Sequence, residues 1–141
     1  MAVTSEATTL WKGDLTSGAG TTRLDSSGIA EFPVSWEARS HGAAGKTNPE
    51  ELLGAAHSAC YSMAFARALA GFGTPPQGLQ VTAAVTFDPN SGITGSHLLV
   101  SAKVAGISER DFERIADEAK ETCPVSRALA GIPITLEANL A

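Results

Sequence analysis

The stretch from Thr47 to Gly73 most restricts what this chain can fold into. It opens with a strong helix-start signal and continues with almost no polar side. Proline suits the first helical position, where its missing N–H would have no partner in any case. That makes Asn48 the N-cap, Pro49 the first helical residue and Glu51 the third, the spacing of a capping box. Leu52, Leu53, Ala55, Ala56, Ala59, Cys60, Met63, Phe65, Ala66, Leu69 and Ala70 then cover most of the circumference. The expectation is a helix buried nearly all round, with small residues that let another backbone come close. Gly71-Phe72-Gly73 followed by Pro75-Pro76 stops it.

The flanks supply strands. Thr8 to Lys12 and Gly20 to Leu24 read as a pair joined by a turn-rich loop, and Ile29 to Ala38 as a third strand, with Pro33 marking an edge or bulge. That strand delivers Arg39 to a loop rich in glycine and alanine. After the helix, Val81, Ala83, Val85 and Phe87 alternate on one face, and the turn at Asp88 to Gly92 returns the chain through Ser96 to Val104. A second helix starts at Ser108, with Phe112, Ile115, Ala116 and Ala119 as its apolar face and an Ile107–Phe112 staple. Cys123-Pro124 restarts a short helix, and Ile132 to Leu140 is a final strand. The order gives an α+β class, in one domain spanning residues 1–141, a length that suits a single core.

Charge and composition exclude several functions. A net charge of −5 leaves no basic stripe for nucleic acid. The central helix carries Glu50, Glu51, His57 and Arg67, so it does not read as a membrane span. The first residues lack the basic and apolar regions of a secretory signal, so the expected location is cytoplasmic. Two cysteines are too few for a disulfide scaffold. His41 and His97 have no partners at metal-ligand spacing, so neither a metal nor another cofactor is expected.

Position alone makes Cys60 a small core hydrophobe. Cys123 keeps two readings open: an N-cap thiol that helix amides favour as thiolate, or a chance placement. Arg39 and Glu50 read equally as surface charges, with Glu50 a favourable first-turn acid. His57 lies three residues before Cys60 and shares its face. That spacing admits a Cys–His pair, though a packed structural histidine is the commoner outcome.

The segments TNPEELLGAAHSACYSM and ETCPVSRALAG together resemble the OsmC/Ohr family, the osmotically inducible protein C and organic hydroperoxide resistance proteins. The resemblance extends from Trp11-Lys12-Gly13-Asp14 to Ile134-Thr135-Leu136 and is nearer the OsmC branch. The Ala/Gly-rich loop between Arg39 and Glu50 is a minor departure. The resemblance implies an intertwined homodimer, with antiparallel sheets wrapped around long central helices. It also implies a thiol peroxidase that reduces organic hydroperoxides to alcohols. In that scheme Cys60 is the peroxidatic cysteine, Cys123 resolves its sulfenic acid into a disulfide, and Arg39 with Glu50 assists the thiolate. A dithiol reductant, lipoyl-type in the family, would complete the cycle. Two alternatives stand beside it: a general thiol–disulfide oxidoreductase, and a non-catalytic stress-related binding protein. The apolar residues around Cys60, among them Leu53, Ala56, Tyr61, Met63 and Phe65, suggest an entrance suited to alkyl peroxides.

Overall fold

The computed structural model describes residues 1–141, which gather into two compact units, residues 1–52 and 53–141. No helix is long and apolar enough to cross a membrane.

The first unit is built on an antiparallel meander of β1 (Ala7–Lys12), β2 (Ala19–Leu24) and β3 (Glu31–Val34), in the order β1-β2-β3. Pro33 lies on the outer strand of this ladder, as its missing N–H requires. The third strand is shorter than the alternation suggests. Ser35 takes extended backbone angles and accepts a 3.1 Å hydrogen bond from the Ala38 amide. It thereby caps a five-residue helix, α1 (Trp36–Ser40). Arg39 therefore sits on a helix and not at a strand end.

Helix α2 (Pro49–Phe72) begins as its sequence indicates. The Asn48 side-chain oxygen accepts from the Glu51 amide at 2.8 Å, and its Nδ2 donates to the Ala38 carbonyl at 2.9 Å, tying α1 to the cap. The capping box is not closed reciprocally, because the Glu51 carboxylate takes the Thr47 hydroxyl instead. At the far end Gly73 adopts φ +98°, with its N–H bonded to Ala70 and that of Thr74 to Leu69. This is a Schellman stop, which the missing Cβ of glycine permits.

The second unit carries a sheet in the order β4-β5-β6. The hairpin of β4 (Gly78–Asp88) and β5 (Gly92–Lys103) is antiparallel, whereas β6 (Ile134–Leu140) pairs with β5 in parallel. A parallel neighbour needs a crossover, and α3 (Glu109–Thr122) with α4 (Pro124–Ala128) provides it. Ser108 caps α3 by accepting from the Asp111 amide at 3.1 Å. Phe112, Ile115, Ala116 and Ala119 are buried, as their spacing predicts.

Along α2, Gly54, His57, Tyr61, Phe65 and Leu69 form one buried stripe. A Cβ at Gly54 would stand 2.8 Å from the Ala83 carbonyl oxygen, so the close backbone approach expected of the small residues occurs here against β4. Tyr61, Phe65 and Phe112 stack in sequence, each adjacent pair of ring centroids 5.5 Å apart. The expectation of all-round burial is corrected within a single chain. Ala55, Ala56 and Ala59 are exposed, and Met63 is 73% exposed. One chain covers one side of an all-round apolar helix and leaves the other open. Tyr61 and Phe65 are likewise core residues and line no entrance.

Candidate functional site

Each of the two units holds one pair of the residues singled out from sequence. In the first, Arg39 projects from α1 and Glu50 from the first turn of α2. The guanidinium grips the carboxylate side-on, Nε to Oε1 at 3.1 Å and Nη2 to Oε2 at 2.9 Å. Glu50 is only 6% exposed, so a carboxylate taken from water is balanced by a charge-assisted bidentate pair. Arg39 also lines an apolar groove of about 370 Å³ with Trp11, Leu15, Trp36 and Leu52, and is the charged residue of its wall.

In the second unit both cysteines are free thiols. Cys60 is half-buried on α2. Cys123 is fully buried where α3 ends and α4 begins. Its extended ψ of 120° breaks the helix there, and Pro124 restarts it, as the Cys-Pro pair implies. The two thiols lie close enough to perturb each other's ionisation. Cys60 opens on a groove of about 620 Å³, lined also by Met63, Ala64, Arg67, Ala68 and Pro124. The lining is mostly apolar, and Arg67 is its charged member.

The electrostatics of the pair differ from the expected roles. Burial pushes the Cys60 thiol up, and the neighbouring Cys123 pushes it further, against a smaller opposing pull from the Val125 amide. Burial also raises Cys123. There, however, the neighbouring Cys60, the Ser126 amide and hydroxyl and the Val125 amide together outweigh it, and the net direction is down. No α4 amide closes a capping hydrogen bond on the Cys123 sulfur, so the amides act by polarisation at longer range. Within one chain, the more acidic sulfur is that of Cys123.

A buried polar chain adjoins the thiols. The His57 ring, wholly inaccessible, meets the Ser96 hydroxyl with Nδ1 at 2.7 Å and the Ser126 hydroxyl with Nε2 at 2.8 Å. His57 is thus hydrogen-bonded at both nitrogens and makes no pair with Cys60. Burial lowers its pKa and keeps the imidazole neutral. Sequence reading missed both serines. Only the Cys-Pro-Val-Ser spacing gave a sign, since it sets Ser126 one turn beyond Cys123. Nowhere do His, Cys, Asp and Glu gather in threes as a metal site would need.

The OsmC-like protein family matches residues 41–137. Peroxiredoxin OsmC of Escherichia coli is 38% identical over 133 residues, covering 92% of both chains. Among solved structures, an OsmC-like protein of unknown function from Vibrio cholerae superposes with TM-score 0.77 at 19% identity, covering 98% of this chain and all of the other. An organic hydroperoxide resistance protein from Elizabethkingia anophelis does so with TM-score 0.70 at 25% identity, covering 100% of this chain and 97% of its own. The fold is therefore OsmC-like, and on the family match together with the 38% relative the chain belongs to the OsmC family.

Proposed function

We propose that the protein is a cysteine-based peroxidase that reduces organic hydroperoxides to alcohols. Its similarity to a peroxiredoxin supports the peroxidase-type redox role. The observation that carries the finer reading is the neighbouring pair of free thiols, Cys60 half-buried on the open groove and Cys123 fully buried. A peroxide entering the groove reaches Cys60 first. The Cys60 thiolate attacks the distal peroxide oxygen, the O–O bond breaks, and the alkoxide leaves as alcohol on gaining a proton. Cys60 then carries a sulfenic acid, which Cys123 condenses to a disulfide with loss of water. A two-electron dithiol reductant of the lipoyl type restores both thiols. The mostly apolar groove wall favours alkyl over hydrogen peroxide.

The acidity of the pair poses a requirement. Cys60 alone in its chain is held as the thiol, so an added cation must favour its thiolate. Arg39, fixed by Glu50, is the proposed cation. Glu50 and Cys60 are ten residues apart on one helix, about 15 Å along its axis. A second copy packed two-fold on the exposed Ala55, Ala56, Ala59 and Met63 face brings the first turn of one α2 to the middle of the other, giving two shared sites. The test is turnover of cumene, tert-butyl and hydrogen peroxides with monothiol and dithiol reductants. Faster turnover of the alkyl peroxides with a dithiol supports this reading. Equal or better turnover of hydrogen peroxide would remove the substrate assignment.

A further inference from the structure

The Ser96–His57–Ser126 chain is costly to build, since three polar side chains are buried and each must be satisfied. It joins β5, α2 and α4 across 39 and 69 residues of sequence. Its end at Ser126 lies one turn from Cys123, the N-cap of α4. A neutral imidazole has one donor and one acceptor nitrogen, so only two arrangements fit. In the first, Nδ1–H donates to Ser96 and Nε2 accepts from the Ser126 hydroxyl. Ser126 then offers Cys123 only lone pairs, which suits a thiol. In the second, Nε2–H donates to the Ser126 oxygen, Nδ1 accepts from Ser96, and the Ser126 O–H is free to point at sulfur, which suits a thiolate.

We propose that His57 is a positioning residue for Cys123: by donating from Nε2 to Ser126 it turns the Ser126 hydroxyl toward the Cys123 sulfur and prepares the thiolate that attacks oxidised Cys60. The proposal rests on the reading of Cys123 as the resolving cysteine. In that step the Cys123 thiolate forms the S–S bond and the S–O bond of the Cys60 sulfenic acid breaks. The departing oxygen leaves as water after taking up a proton equal to the one the thiol released. Cys123 is oxidised and Cys60 reduced, so no further reactant is needed.

Other ionisable groups packed around the network are Cys60 and Tyr61 from α2 and Asp117 from α3. Along a groove of about 290 Å³ that Ser126 also lines stand Lys120 and Glu121 of α3 and Arg127 of α4. The inward faces of β4, β5 and β6 add only aliphatic and aromatic residues and Ser96. Cys60 is replaced alike in every protein titrated below, and none of the others changes.

The test is a pH titration of ultraviolet thiolate absorbance in the Cys60→Ser protein, with the Cys60→Ser/Cys123→Ser protein subtracted so that Tyr61 cancels. Ser126→Ala removes one hydroxyl and little volume. It is expected to move the Cys123 midpoint up by about one unit, a roughly tenfold loss of thiolate at neutral pH. His57→Phe should give a similar shift, and the double variant no more than either alone, because the groups act in series. In the protein with both cysteines, Ser126→Ala should slow conversion of sulfenic acid to disulfide while leaving the first oxidation of Cys60 unaffected. A Ser126→Ala midpoint equal to the parent's, with or without a loss of thermal stability, would overturn the proposal. So would a shift in Ser126→Ala that a folded His57→Phe fails to reproduce. The titration uses no peroxide, so absence of peroxide turnover together with a shifted midpoint would sink the peroxidase reading alone.

Discussion

The Arg39 guanidinium holds the Glu50 carboxylate by two hydrogen bonds, 3.1 Å from Nε to Oε1 and 2.9 Å from Nη2 to Oε2. The carboxylate is the buried partner and the guanidinium the more open one, with side-chain exposures of 6% and 31%. The buried acid therefore fixes the orientation of the guanidinium, which is the more open member of the pair.

Replacing Arg39 by Ala strands the buried carboxylate and should lower stability by about 1–3 kcal/mol. Arg39→Lys keeps the charge but loses the bidentate grip, and should recover stability better than activity. Glu50→Ala should reduce peroxide turnover at least about tenfold by freeing Arg39. Denaturant melts and peroxide-consumption rates on the three variants check this.

His57 gives a pH dependence of stability whose sign is fixed. Burial places its folded pKa below the ordinary 6.5, so the unfolded chain binds the proton more readily. Its contribution is fully present above pH 6.5 and is lost as pH falls from there through the folded pKa. Denaturation midpoints should therefore drop on acidification below 6.5 in the parent, and less steeply in a His57→Gln protein.

Phe65 and Met63 separate the two sides of α2. Phe65 is fully buried between Tyr61 and Phe112, and Phe65→Ala should cost about 3–5 kcal/mol. Met63 is exposed in one chain. Met63→Lys should leave the fold intact and weaken self-association, if a second α2 covers it as proposed. Sedimentation velocity reads this directly: a dimer for the parent, and a shift toward monomer for Met63→Lys.

The proposal that sites are shared between two copies is tested by complementation. Cys60→Ser chains, inactive alone, and Glu50→Ala chains, strongly impaired alone, should exceed the summed activity of the two parents when mixed into heterodimers. One of the two sites would then contain every required group. No recovery in a verified heterodimer would mean that the groups act within one chain or not together.

What could be read from sequence was what local chemistry determines. Asn48, Pro49 and Gly73 mark the ends of α2 by backbone requirements that tolerate few residues, and Ser108 does the same for α3. The start of α1 was hidden because Ser35 falls within an alternation that continues from β3, and a strand was the simpler reading. Which side of α2 would be buried had no signature, since Leu53, Ala56, Ala59 and Met63 are as apolar as Tyr61 and Phe65. The partners of His57 come from β5 and α4, 39 and 69 residues away, a distance at which no local pattern operates. The cysteines stood out by rarity and motif, but their relative acidity depends on which sulfur lies by the Ser126 amide and hydroxyl.

That acidity makes the order of oxidation the most direct test of the account. One equivalent of cumene hydroperoxide is added to the parent, Cys60→Ser and Cys123→Ser proteins, and each is trapped with dimedone and weighed by mass spectrometry. The expected result is a Cys60–Cys123 disulfide in the parent and a single dimedone adduct on Cys60 in Cys123→Ser. Cys60→Ser should consume no peroxide. An adduct on Cys123 in Cys60→Ser, with Cys123→Ser inert, would contradict the account and show that the more acidic sulfur is the one that meets the peroxide.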